Sequence, residues 1–558
     1  MSLPFEKQTT IPEKTAKLAQ AVFPKGNKYM ILRDELGEIF NDEQFADLFS
    51  WKGATAVSPG ILAMVCVMTF MENLSDQQAA EAVRSRIDWK YVLGLELEDT
   101  GFDSSVLTNF RARLLEGGAE YRLLTRLAEI CNEKKLIKRR GQQRTDSTHI
   151  IMAAREVNRL ELVGETLRFT LEFLVEVAPE WLREHVNPEW IRRYGHRMEQ
   201  SRFPTDKAES DALCLSIGQD GYTLYTALYT DASMAPLCNT PMVETLRQVW
   251  VQQFCQQDDQ VQWRRAGNLP SGALMINSPQ DPEARYSEKQ GHSWIGYKDH
   301  VTETCDPDFP HLIVHVETTP AAVPDCVMVE PIHQALAKQD LLPGEHVLDS
   351  GYVDIENMVT SQERYQVTLL GPMRQDSSWQ AREKMGYDLA HFQVDWAAQQ
   401  VICPQGQSSQ GWFVHTDASG KEEITVRFDK KECAACPARN QCTRSVRGPR
   451  ALHLQSQPYH DLLQKLRQDE ENGSLTERYK IRAGVEGTIS LATNTYNLRY
   501  TRYLGLAKTR MQNIFTAIAI NLSRLADWFF AQQQDIPVNE RRSRTRISHL
   551  ATLAQAPA

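Results

Sequence analysis

The sequence predicts an α/β protein in which a sheet with helices is interrupted by large inserts and preceded by an all-helical N-terminal region. Two observations lead to this prediction. Helix-like apolar periodicity with capping residues fills roughly the first 130 residues. Beyond residue 141, strand-like runs alternate with helical patterns, which is typical of an α/β sheet. With 558 residues, the chain is expected to form two or more domains, or one domain with large inserts.

The composition places the chain among ordinary soluble proteins. The charged fraction is 24% and the hydrophobic fraction 42%. No uninterrupted apolar run of about 18 residues appears, and the N-terminus lacks a secretory pattern, so the sequence predicts a cytoplasmic protein that does not enter a membrane. Eleven cysteines, an odd number, indicate thiols or metal ligands in a reducing compartment rather than a disulfide framework.

The charge distribution is uneven. A net charge of -10 argues against a uniformly basic surface for nucleic acid. Cations are nevertheless concentrated at residues 134–144, 497–510 and 540–546, and such local patches can hold phosphates. Each run is equally compatible with a solvated face or, for the last one, a loose C-terminal tail.

The N-terminal helices are marked by their first residues. One helix has Ser58 as N-cap and Pro59 at its first position, a second has Ser75 and Gln78 as a capping box, and a third begins near Asp103. Short helices with tight links, one carrying "NFRAR", are compatible either with a helix-turn-helix-like DNA-binding unit or with a plain helical bundle.

The remainder of the chain is predicted as a sheet with two inserts. The strand-like "QQRTDSTHI" precedes a mainly helical insert over 155–275, after which strands return with a helix between them. A second insert, 376–455, is rich in Gln, Ser and Asp and contains four cysteines. Helical periodicity then resumes and ends before a basic tail at 531–558.

Three carboxylates stand out. Asp146 lies in the first strand, and Asp349 ends the apolar "HVLD" before the turn signal "SGY". Glu486 is on a helix, where its spacing from Tyr479 and Arg482 places the three on one face. Two strand-borne aspartates and a helical glutamate would form an oxygen-rich site suited to Mg²⁺. The alternatives are a helix cap, a turn residue or a surface ion pair.

The ordered segments "TDSTHI", "HVLDSGY" and "YKIRAGVEGTIS", followed by "NLRYTRYLGLAKTRMQNIFTAIAINLSRLADW", resemble DDE transposases of bacterial insertion sequences. The resemblance is to the group with an InsH-type N-terminal domain and a cysteine-containing insert. The stretches "ILAMVCVMTFMENLSDQQAAEAVRSRIDWKYVLGL" and "GFDSSVLTNFRARL" resemble that N-terminal domain. The resemblance spans roughly residues 45–530.

The resemblance implies a fold and a chemistry. It implies a helical DNA-binding domain over 1–135 and a ribonuclease H-like catalytic domain over 140–530, with a mixed sheet. It also implies that Asp146, Asp349 and Glu486 are catalytic and hold Mg²⁺ or Mn²⁺, as two ions. The implied reaction is excision and integration of a DNA element by hydrolysis and 3'-hydroxyl transesterification.

The implied partners are double-stranded DNA, as terminal inverted repeats and target, and further copies of the chain. The predicted DNA-contacting residues are Arg111, Arg113, Tyr479, Arg482, Arg499, Arg502 and Lys508. The alternative for each arginine is a surface charge pair of little consequence.

The helical signature departs from the family at one position. Related transposases carry Tyr-x2-Arg-x3-Glu-x6-Lys, but here Thr493 occupies the place of the lysine. The cations that substitute for it in this interpretation are Arg499, Arg502, Lys508 or Arg510. The departure keeps two alternatives open, namely a catalytically impaired sequence-specific DNA-binding protein and a structure-specific nuclease without strand transfer.

The cysteines of the second insert form a separate pattern. Cys403, Cys433, Cys436 and Cys442 have C-x29-C-x2-C-x5-C spacing. A C-x2-C pair directs two thiolates toward one tetrahedral Zn²⁺, and the other two would complete a structural site. The alternative is a set of unligated thiols.

Overall fold

The computed structural model describes residues 3, 10–50, 52–198, 203–258, 260–289, 291–372, 378–383, 386–416 and 422–536. The basic run predicted at 540–546 and the predicted tail beyond residue 536 lie outside the described residues.

Helices fill the N-terminal region, as predicted. Their bounds are α1 Glu13–Val22, α2 Lys28–Leu36, α3 Pro59–Met71, α4 Asp76–Ser85, α5 Ile87–Leu93, α6 Ser105–Glu116 and α7 Glu120–Glu133. The hydroxyl of Ser58 accepts a hydrogen bond from the N–H of Ile61, and Ser75 with Gln78 forms a capping box. Two of the predicted helix starts are therefore confirmed with their caps.

The middle of the chain contains the first strands and the helical insert. In chain order the elements are β1 Gln142–Ile151, α8 Arg159–Val177, α9 Pro179–His185, α10 Pro188–Tyr194, α11 Lys207–Thr230, α12 Ala235–Cys238, α13 Pro241–Gln253, β2 Phe254–Gln257, β3 Gln260–Trp263, β4 Arg285–Lys289, β5 His292–Thr304 and β6 Ile313–Pro320.

The rest of the chain alternates helices and strands before ending in helices. Its elements are α14 Val329–Lys338, β7 Glu345–Leu348, α15 Ile355–Tyr365, β8 Thr368–Leu370, α16 Trp379–Glu383, β9 Gln393–Asp395, β10 Gln400–Ile402, β11 Gly411–Thr416, β12 Glu422–Arg427, α17 Lys430–Ala435, α18 Arg439–Cys442, β13 Ala451–Gln455, α19 Gln457–Glu471, α20 Ser474–Tyr479, α21 Ala483–Thr495 and α22 Leu506–Gln533. The predicted mixed α/β fold is confirmed.

The chain divides into two compact units. The first is drawn from Met1–Ile137, Ser147–Val323 and Gly487–Ala558, and the second from Lys138–Asp146 and Pro324–Glu486. These units cut across the domain boundaries expected from sequence, because the N-terminal helices share a unit with the helical insert and with α22. The compact units are defined by contacts and the expected domains by sequence, so the sequence-based domain boundaries stay a prediction.

Antiparallel strands form the sheet of the first unit. Strand β5 pairs with β4 over residues 292–296 and with β6 over residues 297–303, and the second half of β1 is a further neighbour of β5. Gly296 in β5 has a φ of +152°, and a Cβ there would lie 2.1 Å from the carbonyl oxygen of Ile150 in β1. Only glycine allows the two backbones to approach this closely.

Helix α22 forms the centre of the first unit. It packs against β6, α2, α3 and α7, and the rings of Phe70 and Phe515 stack at 5.5 Å. The side-chain amide of Asn521 accepts from the N–H of Ile313 and donates to the C=O of the same residue. Among the described residues, α22 alone is long and apolar enough to cross a membrane, and 72% of its most apolar window is buried inside the protein.

The helical insert has a core of its own. Helices α8, α11 and α13 surround buried apolar side chains that include Val163, Leu224 and Val249. A Cβ at Gly221 would lie 2.0 Å from the indole of Trp250, so this glycine allows α11 and α13 to pack closely.

Parallel strands form the sheet of the second unit. The first half of β1 pairs with β7 from Gln142 opposite Glu345 to Thr145 opposite Leu348, and β7 pairs in parallel with β8. The cysteine-containing insert adds an antiparallel sheet, β11-β12-β13, whose inner face buries Val426. Sequence analysis assigned no strands to this insert.

Substitution of Gly296 by alanine is expected to destabilise the protein. The new methyl group would meet backbone atoms that cannot rotate away, so we expect the free energy of unfolding to fall by about 3 kcal/mol. Urea unfolding of the full chain measures this loss. Gly267→Ala is the matched control, because a Cβ at Gly267 meets no atom within 4 Å. Equal stability of the two variants would contradict the close approach of β1 and β5.

Candidate active site

The first two predicted acids lie side by side because of strand register. Thr145 of β1 is opposite Leu348 of β7, so Asp146 and Asp349 are the next residues on two parallel strands. The carboxyl ends of parallel strands meet at one edge of a sheet, where polar sites commonly form. The Asp146 side chain is 10% exposed and that of Asp349 is 33% exposed.

The chain turns sharply after β7 and holds Asp349 at this edge. The N–H of Ser350 donates to Oδ1 of Asp349 at 2.7 Å, and the N–H of Tyr352 donates to the Asp349 carbonyl at 2.9 Å. Tyr352 itself is fully buried. The turn signal "SGY" therefore anchors the acid as well as ending the strand.

The third predicted acid approaches from a helix. A 3-10 turn, Lys480–Arg482, leads into α21, and Glu486 lies in the first turn of that helix with its side chain 65% exposed. All three acids belong to the second unit.

Arg482 connects the three carboxylates. Its Nη2 lies 2.8 Å from Oδ2 of Asp146 and 3.7 Å from Oδ2 of Asp349, and its Nη1 lies 3.0 Å from Oε1 of Glu486. The Arg482 side chain is only 14% exposed. Three acids from separate parts of the chain thus meet around one guanidinium.

The electrostatics follow from this clustering. Burial lowers the pKa of Arg482, but the nearby carboxylates, Asp146 foremost, outweigh burial and raise that pKa above its usual value. Burial also raises the pKa of Tyr479 to about 12, and the three acids add to the effect while Arg482 opposes it. Arg482 therefore carries its charge and Tyr479 is neutral at ordinary pH.

The carboxylate oxygens of Asp146, Asp349 and Glu486 are the type of ligand that a hard divalent cation binds, but they are not arranged around a common metal position. Among the described residues, no group of three or more His, Cys, Asp or Glu side chains has an arrangement that could hold a metal ion. Oxygen ligands alone are what Mg²⁺ prefers. The position between the acids is taken by the guanidinium of Arg482 instead.

Sequence analysis missed two residues that support the site. Arg144, on β1, is buried and donates from Nη1 to the carbonyl of Ile481 at 2.5 Å. A Cβ on Gly484 would lie 2.0 Å from Nη1 of Arg144. The sequence signal for this pair was Gly484, the first glycine in "IRAGVEG", because glycine is an unfavourable residue inside a helix.

A surface ion pair also anchors this helical segment. Arg478, in the last turn of α20, pairs with Glu345 at the start of β7, and its side chain is 51% exposed. In the part of the chain that the structure describes, Arg478 makes no ion pair with Asp146, Asp349 or Glu486.

Two predicted DNA contacts lie in the N-terminal helices, and neither is a free cation. Arg111 is buried and pairs with Asp76, with Nη1 at 2.9 Å from Oδ1. Arg113 donates to the carbonyl of Leu48 and lies over the ring of Phe49. Arg111 stays a predicted DNA contact, and contact with DNA would leave Asp76 without its cation. Arg113 is half-buried.

Two further predicted contacts follow α21 and are also engaged. Arg499 donates to the hydroxyl of Thr148 and to the carbonyl of His149 at 2.7 Å. Arg502 is exposed but donates to the carbonyl of Leu74 at 2.9 Å. Both arginines hold segments of the first unit together.

Lys508 differs from these arginines. It is exposed, and it makes no hydrogen bond or ion pair with the part of the chain that the structure describes. Arg510 pairs with Glu120 at 3.2 Å. Thr493, in the place of the family's lysine, donates its hydroxyl to the carbonyl of Ile489 on its own helix. Lys508 is thus the most available substitute cation.

The four predicted zinc ligands line one pocket of the second unit. They are Cys403, Cys433, Cys436 and Cys442, all half-buried. The N–H of Gln407 donates to the sulfur of Cys403. Burial raises the pKa of Cys442, and the other three cysteines add to that rise because they are close. Their present geometry is not that of a metal site.

Comparison with known families identifies the chain. The family described as "Transposase DDE domain" matches residues 402–526, and the family described as "Transposase domain (DUF772)" matches residues 18–113. Both matches are to transposase domains, and together they support a DDE transposase of a bacterial insertion sequence. No curated protein and no solved structure matches it.

The two matches cover different parts of the transposase. Glu486, Arg482 and the four cysteines lie inside the DDE match, whereas Asp146 and Asp349 lie outside it. The fold is ribonuclease H-like with a helical N-terminal region, as predicted. The InsH-type assignment and the roles of the individual acids remain predictions.

Substitution of Gly484 by alanine is expected to disturb the site through Arg144. The methyl group would displace the guanidinium and break its hydrogen bond to Ile481. We expect the free energy of unfolding to fall by about 2 kcal/mol in thermal or urea unfolding. In an Arg144→Ala background the same change is expected to cost little, since the clashing group is gone. Equal costs in both backgrounds would contradict the contact.

Proposed function

We propose that this transposase cuts DNA at the ends of an insertion sequence and joins the ends to target DNA, with Asp146, Asp349 and Glu486 as the catalytic acids. The observation that carries the proposal is the contact of one guanidinium with all three acids. Acids brought together from two strand ends and a helix form a site rather than separate surface charges.

The proposed reaction has two displacement steps at phosphorus. In the first, the oxygen of water forms a bond to phosphorus while the bond to the 3' oxygen breaks, which leaves a 3'-hydroxyl and a 5'-phosphate. In the second, this 3'-hydroxyl attacks a phosphodiester of target DNA, and an equivalent oxygen leaves. The number of phosphodiester bonds is unchanged in the second step, so no external energy source is needed.

The family uses divalent metal ions, and we propose Mg²⁺ or Mn²⁺, as two ions, held by the three acids. Such ions act as Lewis acids on phosphoryl oxygens. Tyr479 and Arg482 adjoin the acids, and we propose that they contact the DNA backbone near the cut. The other proposed contacts are Arg111, Arg113, Arg499, Arg502 and Lys508, of which Lys508 is exposed and Arg111 is buried.

The proposed partners are double-stranded DNA with terminal inverted repeats, target DNA and further copies of the chain. DNA binding is implied by the family, and the assembly on two ends is part of the proposal. A cytoplasmic location is proposed as well, since the substrate is there. The apolar α22 does not oppose it, because 72% of the most apolar window of that helix is buried inside the protein.

The central test is cleavage of a duplex carrying the inverted repeats that flank the coding region. Asp349→Asn is expected to reduce Mg²⁺-dependent cleavage about a hundredfold or more, a loss of about 2.7 kcal/mol in transition-state stabilisation. Asp340→Asn is the matched control, because Asp340 is also in the second unit and its side chain is 79% exposed. Cleavage by Asp349→Asn at the control rate would reject the assignment.

The same assay separates the alternatives. A DNA-binding protein that has lost catalysis would retard the duplex without cutting it. Thr493, in the place of the family's lysine, keeps this alternative open. A structure-specific nuclease would cut but not join. Joined products between the 3' ends and a target plasmid, seen on sequencing gels, are expected only for a transposase.

We also propose that the four-cysteine pocket binds a structural Zn²⁺. The support is that all four sulfur-bearing side chains line one pocket in an insert with its own small core. Binding would require the thiols to turn toward one point. Four thiolates leave no open coordination position, so this ion would stabilise the insert and take no part in catalysis.

Zinc analysis of the purified protein tests this proposal. We expect about one Zn²⁺ per chain by elemental analysis, and loss of that zinc in Cys436→Ser. Cys255→Ser is the control, because Cys255 is half-buried like the four cysteines but belongs to the first unit. Retention of zinc by Cys436→Ser, or no zinc in the parent protein, would reject the site.

A further inference from the structure

The guanidinium of Arg482 lies among the three acids that are proposed to hold the metal ions. It contacts Oδ2 of Asp146 at 2.8 Å and Oε1 of Glu486 at 3.0 Å, and it lies 3.7 Å from Oδ2 of Asp349. Carboxylate oxygens bind Mg²⁺ at about 2.0–2.1 Å. The same oxygens cannot approach a metal ion that closely while the arginine fork lies between them.

The charges make this a competition. The three acids carry three negative charges, and Arg482 neutralises one of them at contact distance. Removal of the guanidinium would free the oxygens and increase the negative potential that attracts a divalent cation. A positive charge at contact distance from the acids opposes the binding of a second cation there.

The remaining contacts of Arg482 allow it to leave. Among the residues that the structure describes, the guanidinium donates hydrogen bonds only to the acids, and its Nε is buried without a hydrogen-bond partner there. An arginine guanidinium can donate two parallel hydrogen bonds to a DNA phosphate, as it can to a carboxylate. Movement onto a phosphate would exchange one charged partner for another.

We propose that Arg482 is an exchangeable counter-cation that couples metal binding to DNA binding. In the protein alone it pairs with the three acids and weakens divalent cation binding. When a DNA phosphate enters, the guanidinium transfers to it and the acids become available to the metal ion. This inference rests on the proposed function, since it takes the three acids as the metal ligands.

The experiment measures Mn²⁺ binding by the full-length protein, using the electron paramagnetic resonance signal of unbound Mn²⁺. Without DNA, Arg482→Gln is expected to bind Mn²⁺ about tenfold more tightly than the parent protein, equivalent to about 1.4 kcal/mol. Arg478→Gln is the matched control and is expected to bind as the parent does, because Arg478 pairs with Glu345 instead. Addition of duplex inverted-repeat DNA is expected to raise the Mn²⁺ affinity of the parent protein. The increase is expected to be smaller for Arg482→Gln.

The outcomes separate the inference from the proposed function. If Asp349→Asn abolishes Mn²⁺ binding but Arg482→Gln binds no more tightly than the parent, the inference is overturned and the proposed function stands. If Asp349→Asn binds Mn²⁺ normally, the proposed metal site itself fails. Circular dichroism checks folding. Should Arg482→Gln unfold, Arg482→Lys, which lacks the fork, is expected to bind Mn²⁺ more tightly than the parent, and parental affinity would overturn the inference.

Discussion

The parallel pairing of β1 with β7 is the constraint on which the candidate active site depends. Because Thr145 lies opposite Leu348, each strand continues directly into an aspartate at the same sheet edge. A shift of one residue in this register would turn one aspartate toward the opposite face. Burial on both sides of such strands makes a shift costly, so Leu348 and its apolar neighbours fix the position of the acids.

The third acid depends on a different contact. Helix α21 approaches β1 closely enough for the guanidinium of Arg144 to lie against Gly484, and Arg144 holds the carbonyl just before the helix. Arg482 then lies among the acids that the two strands present. The site is therefore built around two arginines with distinct tasks: the buried Arg144 supports the helix, and the half-buried Arg482 compensates charge.

Charge compensation explains how acids can cluster without a high cost. Carboxylates held close together repel one another and lose hydration when buried. Arg482 offsets both effects by hydrogen bonds and by charge, and the raised pKa of its guanidinium reflects the same interactions. The closeness of this compensating group to the acids is the physical basis of the exchange proposed above.

The sequence by itself determined the mixed α/β fold class, the capped N-terminal helices and the order of the three acids, because strand ends, caps and helical spacing are local patterns. It also placed Arg482 on the face of Glu486. Only the tertiary structure decided which cations are available, since pairing depends on residues distant in sequence. Arg111 is buried against Asp76, whereas Lys508 is exposed, and both had looked alike as basic residues. The close approach of Arg144 to Gly484 and the guanidinium among the acids are likewise long-range contacts, which no local pattern contains.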